Sequence, residues 1–173
     1  MIMIKEIYMK NFSTVQAELK IQGDGFDPQD ITNKLGIIPN STTKKGDLLK
    51  TNKPCEFSFW YFNTEEQIEY DDVDQYRYKL GPLSEYGLEV QMKKIIDLLK
   101  PKKDILISLM EKYKLRYIFE GIVVANNGYC PSISLDVETM KFMVEINAEF
   151  DVDLYANPYE IEDDDDEEDE EED

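Results

Sequence analysis

Apolar and polar residues alternate with a period of two in three segments, which predicts strands buried mainly on one face. These segments are residues 15–23, 55–63 and 150–155. The first directs four apolar side chains toward a core: Val15, Ala17, Leu19 and Ile21. Residues 116–125 are apolar on both sides, which is typical of a strand in the middle of a sheet. Residues 39–54 are polar and predict a loop.

Between the strands, apolar residues recur with the spacing of helices that bury one stripe. One helix begins at Asp27-Pro28, because Asp accepts a backbone N–H and Pro needs no partner at the first helical position. It ends at Gly36, a residue that terminates helices readily. Residues 85–99 and 101–113 have the pattern of a helical hairpin, with Pro101 as the interruption.

A last helix is expected to start at Ser134 or Asp136 and to end near Ala148. Its inward residues are predicted to be Met140, Met143 and Val144. Without the hairpin, the element order is βαβ-βαβ, that of a ferredoxin-like α+β fold: an antiparallel sheet with helices on one face. We therefore expect a single α+β domain over residues 1–157, with an inserted helical hairpin, and a disordered acidic tail over residues 158–173.

The charge of the chain is concentrated at one end. Of the 38 acidic residues, 13 lie within residues 160–173, which contain no base. The remaining 25 acids and 19 bases leave about -6 on residues 1–159, out of -19 for the whole chain. Like charges repel and little in the tail is apolar, so the tail is predicted to be disordered. This charge favours a basic protein partner and gives no net attraction to nucleic acid, so no direct nucleic-acid binding is expected.

Composition excludes several classes of chemistry. The chain has no histidine, so Ser-His-Asp and Cys-His catalysis, His-ligated zinc and a histidine general base are excluded. Its two cysteines, Cys55 and Cys130, are too few for a Cys-only zinc site. Charge interrupts the amino terminus before a signal-peptide run develops, and no stretch has 18 consecutive apolar residues. We expect a cytoplasmic protein with no membrane contact and no cofactor.

Residues 19–39 resemble the opening of a known family. They contain a strand that ends in Gly23, followed by the helical pattern Asp-Pro-x-x-Ile-Thr-x-x-Leu-Gly-Ile-x-Pro. Later parts are similar too: Gly46, Trp60, residues 99–102 and residues 150–155. Over about residues 15–155 the chain resembles the bacterial family known as domain of unknown function 4279. That family has no established activity. The resemblance implies a small stand-alone bacterial cytoplasmic protein, of a sort that accompanies toxin genes as an immunity partner.

No catalytic constellation is predicted, but two groups of residues are candidates for binding. The candidates for an interaction surface are Trp60, Tyr61, Phe62 and Tyr129. Packing in the core and sheet is the commoner use of such aromatic residues and is the alternative here. Asp151 and Asp153 are two residues apart on a predicted strand, so both carboxylates leave the same face and are candidates for a metal site. The alternative is the polar face of a terminal strand.

Four further features are expected to be ordinary surface. The acids of residues 65–74 lack the order of a calcium loop. In Lys44-Lys45-Gly46 the lysines precede the glycine, the reverse of a phosphate-binding loop. The lysines at the bend of the hairpin contact the acidic tail or solvate a helix. Cys130 has no histidine to activate its thiol.

These observations favour a non-enzymatic bacterial protein-binding module, in its specific form an immunity-type inhibitor of a basic partner or toxin. Acidic surface together with aromatic anchors is how a small inhibitor captures a basic site. The alternative is a small-ligand-binding regulatory domain that acts as a homodimer. A third hypothesis is a metal-assisted hydrolase that uses Asp151 and Asp153. The sequence leaves the oligomeric state open.

Overall fold

A computed structural model of the chain describes residues 13–64, 87–126 and 130–157, which form a mixed five-stranded sheet with helices packed on one face. The strands are β1 (Thr14–Gly23), β2 (Ser41–Thr43), β3 (Ser58–Asn63), β4 (Arg116–Ala125) and β5 (Glu149–Ala156). The helices are α1 (Pro28–Leu35), α2 (Leu88–Leu99), α3 (Lys103–Tyr113) and α4 (Val137–Glu145), and a 3-10 turn (Lys100–Lys102) joins α2 to α3. The predicted α+β class is confirmed. The predicted acidic tail, the acids of residues 65–74 and Tyr129 lie outside the described residues.

The order of the strands differs from the ferredoxin-like prediction. It is β2-β3-β1-β4-β5, and β5 runs parallel to β4, so the sheet is mixed and not antiparallel throughout. In a ferredoxin-like sheet the last strand lies beside the first, whereas here β3 and β4 flank β1. Two connections explain the difference. The long loop after α1 returns the chain antiparallel to β1, and a single crossover helix, α4, places β5 parallel to its neighbour.

The core lies between the sheet and the helices. Every second residue of β1 is buried, as the alternation predicts: Val15, Ala17, Leu19 and Ile21 are at most 1% exposed. The start and end of α1 are also as predicted. The Asp27 side chain accepts the Gln29 N–H, and Gly36 has a φ of 63°, which places it in the left-handed region that favours glycine. The stripe of α2 is buried against β1 and β4.

Helix α4 is rotated relative to the prediction. It begins after Asp136, whose Oδ1 accepts the Thr139 N–H at 2.6 Å. Of the three residues predicted to face inward, Met143 is buried, but Met140 and Val144 are 45% and 78% exposed. The helix buries Phe142 beside Met143 instead. Apolar residues occur on two overlapping stripes of this helix, and the buried stripe is the one that carries Phe142 and Met143.

The segment predicted to be a loop, residues 39–54, contains the short strand β2. Ser41 and Thr43 of β2 lie opposite Tyr61 and Phe59 of β3. Three residues are too few to show an alternating pattern, so the sequence did not reveal the strand. β3 itself begins at Ser58 and not at Cys55.

A close approach between β4 and α2 fixes the middle of the domain. A Cβ added at Gly121 would lie 2.5 Å from Leu88 Cδ2, so only glycine fits there without a shift. Among the described residues, none of the helices has the length and hydropathy of a membrane span.

Candidate functional site

The charged and aromatic side chains of the sheet meet on the face opposite the helices, which we call the open face. Residues that alternate with the buried positions of each strand point to this face. They are half-buried or exposed, in contrast to the core positions beside them. The charged residues of the open face are Glu18, Lys20, Arg116, Glu120, Glu149, Asp151 and Asp153.

Four carboxylates form what we call the acidic band: Glu18, Glu120, Asp151 and Asp153. The strand register places Glu18 directly opposite Glu120, and Glu120 directly opposite Asp151. Directly opposed like charges are destabilising in a sheet. One cation lies among them, because Lys20 Nζ donates to Glu120 Oε2 at 3.1 Å. The side chains of this pair are 24% and 18% exposed, so water screens their interaction only partly.

The environment of the band shifts the pKa values of Glu18 and Lys20. Burial raises the pKa of Glu18; the charge of Lys20 opposes this effect and that of Glu120 adds to it. Burial acts to lower the pKa of Lys20, but the hydrogen bond to Glu120 and the surrounding negative charges outweigh it, so the pKa is raised. The band is therefore a site where negative charge is crowded and a positive charge is favoured.

The second cation of the open face, Arg116, also forms a salt bridge. Arg116 donates to both carboxylate oxygens of Glu149, at 2.8 and 2.6 Å. These hydrogen bonds lower the pKa of Glu149. Among the described residues of the open face, five carboxylates thus accompany two cations, which gives a net charge of -3. Glu18, Asp151 and Asp153 form no salt bridge with any described residue.

Asp151 and Asp153 lie on the open face, as their spacing predicts. Asp151 Oδ1 accepts the Val152 N–H at 2.8 Å, and Asp153 Oδ2 accepts the Tyr155 hydroxyl at 2.6 Å. The hydrogen bond to Asp153 raises the pKa of Tyr155. Within the described residues, no group of three His, Cys, Asp or Glu side chains is arranged to hold a metal ion. The band instead suits an ammonium or guanidinium group, which needs acceptors but no fixed coordination geometry.

An aromatic pair lies beside the band. The rings of Phe59 and Tyr61 stack with their centroids 5.6 Å apart and their planes at 19°. Lys20 Nζ lies 5.8 Å from the Tyr61 ring centroid. Burial raises the pKa of Tyr61, so its hydroxyl stays protonated at neutral pH. Phe59 was not among the predicted candidates, although its spacing of two from Tyr61 places both rings on one face.

The other aromatic candidates lie elsewhere. Trp60 has no exposed surface, and its Nε1 donates to Thr32 Oγ1 at 3.0 Å, so it belongs to the core. Phe62 is half-buried and stacks on Trp60 with centroids 6.1 Å apart. Of the three aromatic candidates that the structure describes, Tyr61 is the one that reaches the open face.

Lysines that the sequence analysis treated as ordinary surface pair with acids in the structure, and the two cysteines form no disulfide. Lys44 pairs with Asp27 at 2.7 Å, and Lys45 pairs with Asp24. At the bend of the hairpin, Lys100 and Lys103 pair with acids of α4, Glu138 at 2.7 Å and Glu145 at 2.9 Å. Cys130 is exposed and Cys55 is buried, and neither forms a disulfide.

A separate groove lies at the end of β3, on the helix side. Its volume is about 740 Å³, and Phe62 lines it together with Leu98 of α2 and Ile38 of the loop after α1. Asn63 also lines it, but the strand register places the side chain of Asn63, whose buried Oδ1 has no hydrogen-bond partner, on the open face opposite Glu18. A groove of this size with apolar lining residues is a feature of small-molecule sites.

Comparison with known proteins identifies one relationship. Residues 13–157 match the family model described as "Domain of unknown function (DUF4279)". Neither a search of curated proteins nor a search of solved structures found a match.

Proposed function

The chain belongs to the DUF4279 family, and from that premise we propose that it is a non-enzymatic binding module for a basic protein partner, which it contacts through the open face. One observation carries the proposal. Three carboxylates of the open face, those of Glu18, Asp151 and Asp153, form no salt bridge with any described residue, and the charge of Lys20 offsets that of Glu18 only in part. A lysine or arginine side chain of a partner would supply the missing charge.

The geometry favours a protein surface over an isolated small cation. The band crosses three neighbouring strands, β1, β4 and β5, and therefore extends over about 10 Å at a strand spacing of about 4.8 Å. The aromatic pair adds apolar contact area and a π face for a cation. Tyrosine and arginine are enriched among the residues that contribute most to the affinity of protein interfaces. The net charge of -19 attracts a basic partner from a distance and speeds association.

The specific form of the proposal is an immunity-type inhibitor in the bacterial cytoplasm. Such an inhibitor covers the basic active site of a toxin. The acidity of the chain, the band and the family resemblance support this form. Under this proposal the chain has no catalytic role and needs no cofactor.

The test compares partner capture at low salt by the full-length chain and two charge-matched variants. The first variant removes three charges of the band by Glu18→Gln, Asp151→Asn and Asp153→Asn. The second removes three exposed charges elsewhere by Glu56→Gln, Asp104→Asn and Glu111→Gln. A partner identified by mass spectrometry is then purified, and its Kd is measured. We expect the band variant to weaken binding by about tenfold or more and the control by less than about threefold.

Two outcomes would contradict the proposal. An equal loss of partner affinity in both variants would mean that net charge alone drives binding. Loss only in a further variant, in which the acids of residues 160–173 are replaced by amides, would place binding on that segment and not on the open face. Inhibition of a catalytic partner by the wild-type chain would establish the inhibitor form.

Small-ligand binding is the second candidate function, and the groove at the end of β3 supports it. Its apolar side chains, those of Ile38, Phe62 and Leu98, would suit an apolar metabolite. A thermal-shift screen tests this, because a ligand at 100 times its Kd adds about 2.7 kcal/mol of stability. A hit that Leu98→Ala weakens, and that brings the chain to a dimer in sedimentation, would favour the regulatory homodimer.

A further inference from the structure

Strand β5 is the last strand of the sheet in the part of the chain that the structure describes. Among the described residues it pairs with β4 alone. It is eight residues long, and most of its residues are exposed. An edge of this length presents unpaired backbone groups to any extended chain that reaches it. The opposite edge, β2, has only three residues and offers much less.

The direction of the backbone groups along β5 follows from one hydrogen bond. The Asn157 N–H, directly after the strand, donates to the Ala125 carbonyl of β4 at 2.8 Å. Backbone groups alternate in direction along a strand, so odd-numbered residues of β5 point toward β4 and even-numbered residues toward the free edge. Val152 agrees, since its N–H donates to the Asp151 carboxylate of its own strand. The backbone N–H of Leu154 also points toward the free edge.

The side chains of β5 separate into two chemical classes. On the open face lie the carboxylates of Asp151 and Asp153. On the helix face lie Phe150, Val152 and Leu154, and the first and last of these are 41% and 50% exposed. A neighbouring strand would cover this apolar surface on one side and meet negative charge on the other.

We propose that the free edge of β5 binds an extended segment of a partner protein in which basic and apolar residues alternate. This inference deepens the proposed function and rests on it for the basic character of the partner. The added strand would place its basic side chains beside Asp151 and Asp153 and its apolar side chains beside Phe150 and Leu154. Main-chain hydrogen bonds would supply the remaining affinity, as in other cases of strand addition.

In this proposal the Asp151 carboxylate blocks one backbone donor of the edge until a basic side chain binds it. This carboxylate occupies the outward Val152 N–H, so a neutral strand finds that donor taken. A lysine or arginine on the incoming strand draws the carboxylate away and releases the N–H. The same charge disfavours a second copy of this chain, because antiparallel pairing of two β5 strands would bring the acids of both copies together.

The probe is a synthetic peptide with four lysines and three valines in strict alternation. The control peptide has the same composition with the valines in one block. Both are added to the isotopically labelled full-length chain at low salt, and binding is followed by amide NMR and hydrogen exchange. We expect the alternating peptide to protect the Leu154 amide at least about tenfold and to bind at least about tenfold more tightly than the control.

Two matched variants test the backbone contact. Leu154→Pro removes one outward N–H and leaves the bonds to β4 in place, whereas Leu154→Ala shortens the same side chain and keeps the N–H. We expect the proline variant to bind the peptide about tenfold more weakly than the alanine variant. Should the proline variant fail to fold, the pair Asp151→Lys and Asp153→Lys replaces it. That pair should reverse the preference, so that an alternating Glu-Val peptide binds and the Lys-Val peptide does not.

The outcomes separate this inference from the proposed function. Equal binding of the two peptides would overturn the edge site. So would a set of amide chemical-shift changes that includes no residue of β5. Protection of the Leu154 amide without peptide, in a chain that sediments as a dimer, would assign the edge to a second copy and also overturn it. Glu18→Gln lies off the edge and should leave peptide binding within about twofold. If it weakens the natural partner while Leu154→Pro does not, the open face stands as the binding surface and the edge does not.

Discussion

The two faces of the same sheet are built on different principles. On β1, Val15 and Ala17 have no exposed surface, while the neighbouring Gln16 and Glu18 are half-buried on the other side. The helix face is closed by apolar packing. The open face carries seven charges, of which three carboxylates have no salt-bridge partner among the described residues.

This difference separates stability from binding. Removing apolar surface from water supplies most of the free energy of folding, and it is concentrated on the helix face. Polar groups on the other face contribute little to that free energy and are free to recognise a partner. The comparison predicts that substitutions on the two faces, even at adjacent positions, have effects of different size and sign.

The largest effect is expected at Trp60. Trp60→Ala removes a fully buried side chain and leaves Thr32 Oγ1 without its indole donor, so we expect a loss of about 3–5 kcal/mol in the free energy of unfolding. Tyr61→Ala, one residue along on the open face, is the matched control and should cost about 1 kcal/mol. Urea denaturation measures both. Similar losses for the two variants would contradict the division into two faces.

A smaller loss is expected where β4 and α2 meet. Gly121→Ala places a methyl group 2.5 Å from Leu88 Cδ2, and overpacking of this kind costs about 1–3 kcal/mol. Leu88→Val shortens the opposing side chain. In a double-mutant cycle we therefore expect the two substitutions together to cost less than the sum of their separate effects. Strict additivity would show that the contact is not the source of the loss.

The sequence predicted those parts of the fold that repeat a local period. The alternation in residues 15–23, the apolar stripe of α2 and the cap at Asp27 each depend on neighbours within a few residues, and the structure has all three. It also predicted that Asp151 and Asp153 share a face. It did not predict the strand order, because loops and crossovers determine which strands become neighbours.

The candidate site was only partly predictable for the same reason. Tyr61 was a candidate because it is aromatic, and the structure places it on the open face. The opposition of Glu18 and Glu120 was missed, because these residues are 102 positions apart and meet only through the register of β1 and β4. No signal within one strand reveals such a pair. The alternation in residues 55–63 put Trp60 and Tyr61 on opposite faces of the strand but did not say which face is buried, and the structure places Trp60 in the core.

On the open face, Lys20 is the residue whose loss should cost most among the charges. Lys20→Met leaves Glu18 and Glu120 opposed without a cation, and we expect a loss of up to about 1 kcal/mol at low ionic strength. The loss should shrink in 1 M salt, where the screening length is about 3 Å. Lys34→Met, on the exposed surface of α1, is the control and should change stability by less than about 0.5 kcal/mol. A salt-independent loss would point to packing and not to charge.

The smallest effect, and the one of opposite sign, is expected at Glu18. Its pKa is raised in the folded chain, first by burial, so the folded state holds the proton more tightly than the unfolded state. Below the unfolded pKa of about 4.5, Glu18 is protonated in both states and its ionisation does not change the free energy of unfolding. As the pH rises toward the folded pKa, the free energy of unfolding falls, and above the folded pKa the full destabilisation by the charged Glu18 is present. Glu18→Gln should match the wild type in urea denaturation at pH 3.5 and exceed it at pH 7 by less than about 1 kcal/mol, since solvent screens a half-exposed group. A variant that is less stable at pH 7 would contradict this sign. A carboxylate that lowers stability where it lies has no structural reason to be charged, so a gain in stability together with weaker partner binding would assign its charge to recognition.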